Sequence, residues 1–181
     1  VYGNIHYNNK VREQIDIKTN KEVALNGKSA AKIVLLSDLH LGYHNRRSEF
    51  RRWVDMINAE QPDLVLIAGD IIDISVRPLL EERVAEEFHR LKAPVYACLG
   101  NHEYYSGEPL AQQFYRKAGI TLLRDSVAKI GNIAVIGRDD RTNAHRHSLR
   151  DIVKQAKLTT DGNGGTKQIT ILLDHQPYHL E

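Results

Sequence analysis

The stretch Leu64-Val65-Leu66-Ile67-Ala68-Gly69-Asp70-Ile71-Ile72-Asp73 decides the reading of the fold. Five apolar residues in a row, with no polar alternation, read as a strand buried on both faces, as in parallel sheets covered by helices. The run stops at a Gly-Asp turn. Three other runs follow the same plan. Ile33 to Leu36 closes in Ser37-Asp38-Leu39-His40, Val95 to Leu99 in Gly100-Asn101-His102-Glu103, and Ile169 to Leu173 in Asp174-His175-Gln176-Pro177. In layered α/β sheets, functional groups gather in the crevice beyond the carboxyl ends of the strands. That rim would carry Asp38, His40, Asp70, Asn101 and His175. Four successive tips of this kind point to a metal site.

Working outward, the segments between these runs carry helical periodicity. Phe50, Trp53, Val54 and Ile57 lie on one helical face, with Ser48 as the expected N-cap and Gln61-Pro62 as the stop. A second helix is expected over 78–91, with the stripe Leu80, Val84, Phe88 and Leu91, and a third over 109–118, ended by Gly119. The texture then shortens to strand candidates at 121–123, 127–130 and 133–136. A loop, a helix over 149–157, a glycine-rich turn at 161–165 and the last strand follow. The pattern predicts an α/β fold of two sheets flanked by helices. Residues 1–31 are polar, with apolar patches around 5–7, 11–17 and 23–25, and read as an extension with edge strands. The main domain, with its periodic core, is expected over 32–181.

Composition narrows the class. The 181 residues are 41% hydrophobic and 27% charged, ordinary for a water-soluble globular domain of one core. A net charge of +2 gives no case for nucleic acid or anionic membrane as partner. The single cysteine, Cys98, excludes an internal disulfide and a multi-cysteine zinc site, and within its strand it reads as a buried thiol. No apolar stretch approaches the ~20 residues that span a bilayer, and no leader pattern is present. The chain opens on Val1 rather than Met, so a piece of a longer protein is expected.

Each signature has a plain alternative. Asp38-x-His40 supplies half of a divalent-metal shell, both side chains falling on one side of extended backbone, or it is an ordinary surface turn. Asp70 can bridge two cations with its two oxygens, or cap a turn. Asp73 reads as orienting the loop or a ligand. Asn101 offers a neutral hard oxygen, His102 can face a substrate, and Glu103 can hold His102 in orientation. Carboxylate, imidazole and amide oxygen together suit Mn²⁺, Fe or Zn²⁺ rather than a soft thiolate metal. Gly-x-Gly-x-x-Gly and Gly-x-x-x-x-Gly-Lys-Ser/Thr are both absent, which removes a nucleotide-binding α/β domain.

Taken together, Asp38-x-His40, Gly69-Asp70-x-x-Asp73, Gly100-Asn101-His102-Glu103 and His175 resemble the motif series of the calcineurin-like metallophosphoesterases. Asp38, Asp70 and Asn101 follow at intervals of 32 and 31 residues, as in that series. The segments SDLHLG and LIAGDIID are similar to its bacterial membrane-associated or exported branch. The resemblance covers about residues 33–177. It implies a four-layer α/β/β/α sandwich of two mixed sheets, in which Asp38 and His40 hold one metal, Asp70 bridges, and Asn101 with His175 hold the second. His102 would contact the phosphate and assist the leaving group. The implied cofactors are two divalent ions, Mn, Fe or Zn. The implied activity is hydrolysis of mono-, di- or pyrophosphate esters by a metal-bridging hydroxide.

The implied substrates are phosphorylated small molecules or lipid-linked phosphates, in a parent protein that is membrane-associated or exported. The family's last motif, Gly-His-x-His, does not occur before Glu181. The intact upstream ligands favour a C-terminally incomplete domain over a decayed one. The rival reading is a non-catalytic scaffold of the same fold that binds a protein partner. Arg46, Arg47, Arg51 and Arg52 would line a path for anions or form a solvated face. Arg138, Arg141, His145, Arg146 and His147 would add substrate contacts, with His145 and His147 as reserve ligands.

Overall fold

The computed structural model describes residues 11–21, 23, 25, 27–157, 168–178 and 180. In chain order the elements are β1 (Ile33–Leu36), α1 (Arg47–Ala59), β2 (Leu64–Ala68), α2 (Arg77–Glu81), α3 (Ala85–Phe88), β3 (Val95–Cys98), α4 (Asn101–Tyr105), α5 (Glu108–Lys117), β4 (Thr121–Leu122), β5 (Ser126–Ile130), β6 (Ile133–Gly137), α6 (Leu149–Gln155) and β7 (Ile169–Leu173). Strands β1-β2-β3-β4 form one sheet, parallel throughout, and β5-β6-β7 a second, antiparallel at β5–β6 and parallel at β6–β7. Two sheets in an α/β fold are as expected. Among the described residues the larger sheet is parallel and the smaller one mixed.

The continuous apolar run at β2 is explained by its two covered faces. Val65 and Ile67 belong to the core under the helices, with Phe50, Val54, Leu79, Phe88 and Phe114. Leu64 and Leu66 point the other way, into a second core shared with Cys98, Leu123, Ile133, Val135 and Leu173. Period-2 alternation thus puts one set against helices and the next against the small sheet. Ring contacts run through the helical layer, with Phe50 and Phe88 centroids 4.4 Å apart and Phe88 and Phe114 6.0 Å apart. At the edge strand β1 the covering thins, and Leu35 is exposed.

Several expected boundaries move. The N-cap of α1 is Arg46 rather than Ser48. The helix expected over 78–91 breaks in two because Arg83 is left-handed, with φ 56°. Its N–H bonds to Leu80 O (3.1 Å) and the Val84 N–H to Leu79 O (2.9 Å), the Schellman pattern that ends a helix. Gly119 makes the same stop after α5, with φ 70°. α4 was not expected; it starts inside the Asn101-His102-Glu103 signature. α6 ends at Gln155, short of the predicted 157. Among the described residues of 11–31 no strand forms, and the expected edge strands are replaced by one isolated bridge, Leu25–Lys28. The patch at 5–7 and the glycine turn at 161–165 lie outside the described residues.

Candidate metal centre

The tips of β1 and β2 stay paired beyond their strands. Asp38 N–H donates to Gly69 O (3.2 Å), His40 N–H to Asp70 O (3.0 Å), Leu41 N–H to Ile71 O (2.8 Å) and Asp73 N–H back to Leu41 O (3.0 Å). The ladder therefore carries both loops side by side. Within it Asp38, His40 and Asp70 are left-handed, with φ of 54°, 42° and 53°. Side chains other than glycine pay about 1–2 kcal/mol for that conformation, although Asp tolerates it better than most. The expectation of extended backbone at Asp38-x-His40 is thus corrected: two left-handed residues, not a pleat, aim the pair. Non-glycine strain of this kind concentrates at functional sites.

Close approach explains the glycines. A Cβ on Gly69 (φ 81°) would lie 2.8 Å from Gly100 N and 2.9 Å from the His175 Cβ, and one on Gly100 would lie 2.2 Å from Asp70 Oδ1. Only bare backbone lets the β2, β3 and β7 tips meet here.

The side chains converge on Asp70, which is buried. His175 Nε2 lies 3.2 Å and His40 Nε2 3.7 Å from Asp70 Oδ2, while His40 Nε2 is 3.6 Å from Asp38 Oδ1. His175 Nδ1 faces Ala68 O at 2.8 Å, which directs Nε2 inward. Asn101 Oδ1 accepts from Gln176 Nε2 at 2.9 Å, and the next amide, His102 N–H, donates to Asp70 Oδ1 at 3.0 Å. A second group forms beside it. His40 Nδ1 is 3.6 Å and His102 Nδ1 3.5 Å from Asp73 Oδ1. The His40 and His102 rings meet edge to face at 4.5 Å. Asp38–His40–Asp70 and His40–Asp73–His102 each bring three donor atoms within 4.8 Å of one another.

Glu103 has a different role from the one expected. At the third position of α4 its side chain folds back over the helix start. Its buried carboxylate accepts the N–H groups of Gly100 (2.7 Å), Asp70 (3.0 Å) and Ile72 (3.0 Å). It orients the Gly69–Asp73 loop and not His102. His102 Nδ1–H instead donates to Asp73 O at 2.9 Å, and Tyr105 packs on its ring at 5.4 Å.

Charge balances follow from these contacts. Burial pushes the Glu103 carboxyl up, against the pull of its backbone donors. Burial also pushes Asp70 up, but the His175 hydrogen bond and the His102 N–H outweigh it and hold the carboxyl below the usual range. Asp70 in turn raises His175 to about 9, despite burial. Burial drives the Cys98 thiol well up, in keeping with an inert structural role.

These residues suit a divalent cation on two counts. Oxygen and imidazole donors are the set that Mn²⁺, Fe and Zn²⁺ accept. His40 Nδ1 is buried with no hydrogen-bond partner, and its contacts with carboxylate oxygens are wider than hydrogen bonds. Other residues singled out in the sequence lie elsewhere. His145 and His147 sit on an exposed loop and take part through their backbone, His145 N–H to Asn143 Oδ1 and Arg138 Nε to His147 O. Arg46, Arg47, Arg51 and Arg52 are spent on Glu82, Glu86, Glu87 and Glu49. Arg138 and Arg146, expected to add substrate contacts, are instead engaged by Asp174; Asp139 and Tyr104, which border the site, carry no motif. Asp139 does follow a buried strand, as Asp70 does, and the strand-tip rule would have found it.

A family model described as calcineurin-like phosphoesterase matches residues 31–179. An uncharacterized metallophosphoesterase of Aquifex aeolicus is 33% identical over 148 residues, covering 81% of this chain and 55% of that protein. One from Campylobacter jejuni is 32% identical over 154 residues, covering 84% and 40%. A zebrafish (Danio rerio) transmembrane protein with metallophosphoesterase domain is 32% identical over 178 residues, covering 91% and 39%. The chain thus spans about half, or less, of the length of these relatives.

Proposed function

The chain belongs to the calcineurin-like phosphoesterase family, and from that premise we propose that it hydrolyses phosphoester bonds with two divalent metal ions. Asp38 and His40 would hold one ion and Asn101 and His175 the other, with Asp70 as the carboxylate that would serve both. The observation that carries this reading is the convergence of His175 and His40 on the buried Asp70, at 3.2 and 3.7 Å, with Asp38 3.6 Å from the same His40 nitrogen. When bound, such ions supply an activated water and neutralise charge on the phosphoryl oxygens.

The chain's own residues do the rest. Asp70 keeps its charge because His102 N–H and His175 favour the carboxylate. His102 is steered by Asp73, which takes its Nδ1–H and leaves Nε2 as the ring nitrogen available to a substrate. In its protonated form His102 gives the Nε2 proton to the leaving-group oxygen as the P–O bond breaks. Positioning and electrostatics suffice, and no covalent enzyme intermediate is required.

Tyr43, Ile74 and Tyr105 are exposed beside Gly42, Asp73 and His102, which supports a phosphorylated substrate with an apolar portion, including a lipid-linked one. No helix among the described residues is long and apolar enough to cross a membrane. The zebrafish relative's name supports a membrane link in the whole protein.

The test is hydrolysis of p-nitrophenyl phosphate and bis(p-nitrophenyl) phosphate before and after chelation. Activity should vanish with chelator and return with Mn²⁺, Fe²⁺ or Zn²⁺. Turnover that survives complete metal removal would overturn the reading. Failure of all three ions to bind would overturn the assignment of these residues as a sufficient ligand set.

A further inference from the structure

At the tip of β6, two adjacent residues of opposite charge are both buried, Arg138 and Asp139. Each reaches a different neighbour. Asp139 Oδ1 accepts from the Tyr104 hydroxyl at 2.7 Å and from Asp140 N–H at 2.9 Å, and Oδ2 from Arg124 Nε at 2.6 Å and Asn143 Nδ2 at 2.8 Å. All four of its main acceptor directions are used. Arg124 closes the network by donating to the Tyr104 hydroxyl at 3.1 Å and to Glu108 at 2.8 Å, at the start of α5. Tyr104 lies on α4, three residues from Asn101 and two from His102. Burial, then the bond to Asp139, raises its phenol further from ionisation.

Arg138 serves the other segment. It donates to Asp174 Oδ2 at 3.2 Å and to Tyr178 O at 2.7 Å, on either side of His175-Gln176-Pro177. Arg146 adds donors to Asp174 Oδ1 at 3.4 Å and to Asp139 O at 3.2 Å, which ties the two halves together.

We propose that Arg138 and Asp139 form a clasp that positions the Asn101–His102 helix and the His175 segment relative to one another, an inference that rests on reading Asn101 and His175 as ligands of one ion. Neither residue touches a reacting atom, so both are positioning residues. The two ligands arrive from different sheets, β3 of the large one and β7 of the small one. Gln176–Asn101 is the direct hydrogen bond between them. The clasp fixes each of their backbones from behind. Outer partners that orient ligands are worth 10–100-fold in metal affinity.

The test is Mn²⁺ binding by the 181-residue chain, measured by equilibrium dialysis together with thermal stability of the metal-free form. Tyr104→Phe deletes one hydroxyl and keeps the packing. Asp139→Asn keeps the shape, and Arg138→Lys keeps the charge but loses the planar fork, whose Nη1 serves Asp174 and Tyr178 while its Nε holds His147 O. Each should weaken Mn²⁺ by roughly 10-fold or more, and the Tyr104→Phe/Asp139→Asn double variant should lose less than the product of the two. Arg51→Lys, far from the site, should leave Mn²⁺ binding unchanged. Wild-type binding that persists undiminished in Tyr104→Phe and Arg138→Lys overturns the clasp alone, even where melting temperatures fall. A wild-type chain that takes up no Mn²⁺ overturns the metal reading, and the clasp with it.

Discussion

Asp70 and Glu87 are both buried carboxylates held by cationic or cation-forming side chains, yet they are built differently. Glu87 is closed. Arg47 Nε and Arg51 reach Oε1 at 2.8 Å, and Arg90 reaches Oε2 at 2.7 Å, so donors saturate it at hydrogen-bond distance. Its carboxyl drops to about 2, chiefly through Arg51 against the cost of burial. Asp70 is open. His175 is close at 3.2 Å, but His40 stops at 3.7 Å and Asp38 faces His40 at 3.6 Å. Guanidinium forks fill a carboxylate's lone pairs and leave room for nothing else. Imidazoles at wider spacing leave lone pairs directed at a shared volume. A closed cluster holds the fold together, whereas an open one waits for a cation.

That contrast breaks most sharply at Asp70. Asp70→Asn removes the charge shared by both sides of the site, and phosphoester hydrolysis should fall below detection with loss of bound Mn²⁺, read by metal analysis and kcat. His102→Ala should come next. Metal content should stay near wild type while kcat falls by roughly 10²–10⁴ on an alkyl phosphate ester. The loss should be least on p-nitrophenyl phosphate, whose leaving group needs no proton. Equal metal loss in both variants would make His102 a ligand.

At the closed cluster the effect moves to stability. Glu87→Gln should cost about 3 kcal/mol in urea unfolding at pH 7, with specific activity of the folded protein unchanged. Its folded pKa is depressed, so its contribution is present above the unfolded value of ~4.3. It is lost as pH falls toward about 2, where wild type and variant should unfold alike. Smallest of all is the exposed pair Arg77–Glu81, one turn apart on α2. Arg77→Ala should leave the urea unfolding midpoint essentially unchanged.

How much of this was written locally follows from the same contrast. The strand tips were legible because an unbroken apolar run followed by Gly-Asp or Gly-Asn depends only on neighbours in sequence. The site's assembly around Asp70 was legible as a set of residue types at strand ends. The division of labour between Glu103 and Asp73 was not, because it depends on α4 beginning at Asn101 and turning Glu103 backward. The break at Arg83 was hidden too: the stop at Gly119 has its glycine, whereas Arg83 adopts the same left-handed turn without one. The alternating patches at 11–17 misled because alternation alone supplies no partner strand. The arginines around Glu87 could be read either as an anion path or as a solvated face, since only the tertiary contact with α3 shows that they are already neutralised.

The hydrogen-bonded ladder that runs on past β1 and β2, from Asp38 to Asp73, turns the sheet into a ruler. Neighbouring strands lie about 4.8 Å apart, and residues locked to that ladder inherit the interval whatever surrounds them. Donor spacing is thereby separated from substrate choice. Segments outside the ladder, such as the exposed rim around Tyr43, Ile74 and Tyr105, are not tied to that interval. The rim can then change without moving the donor atoms.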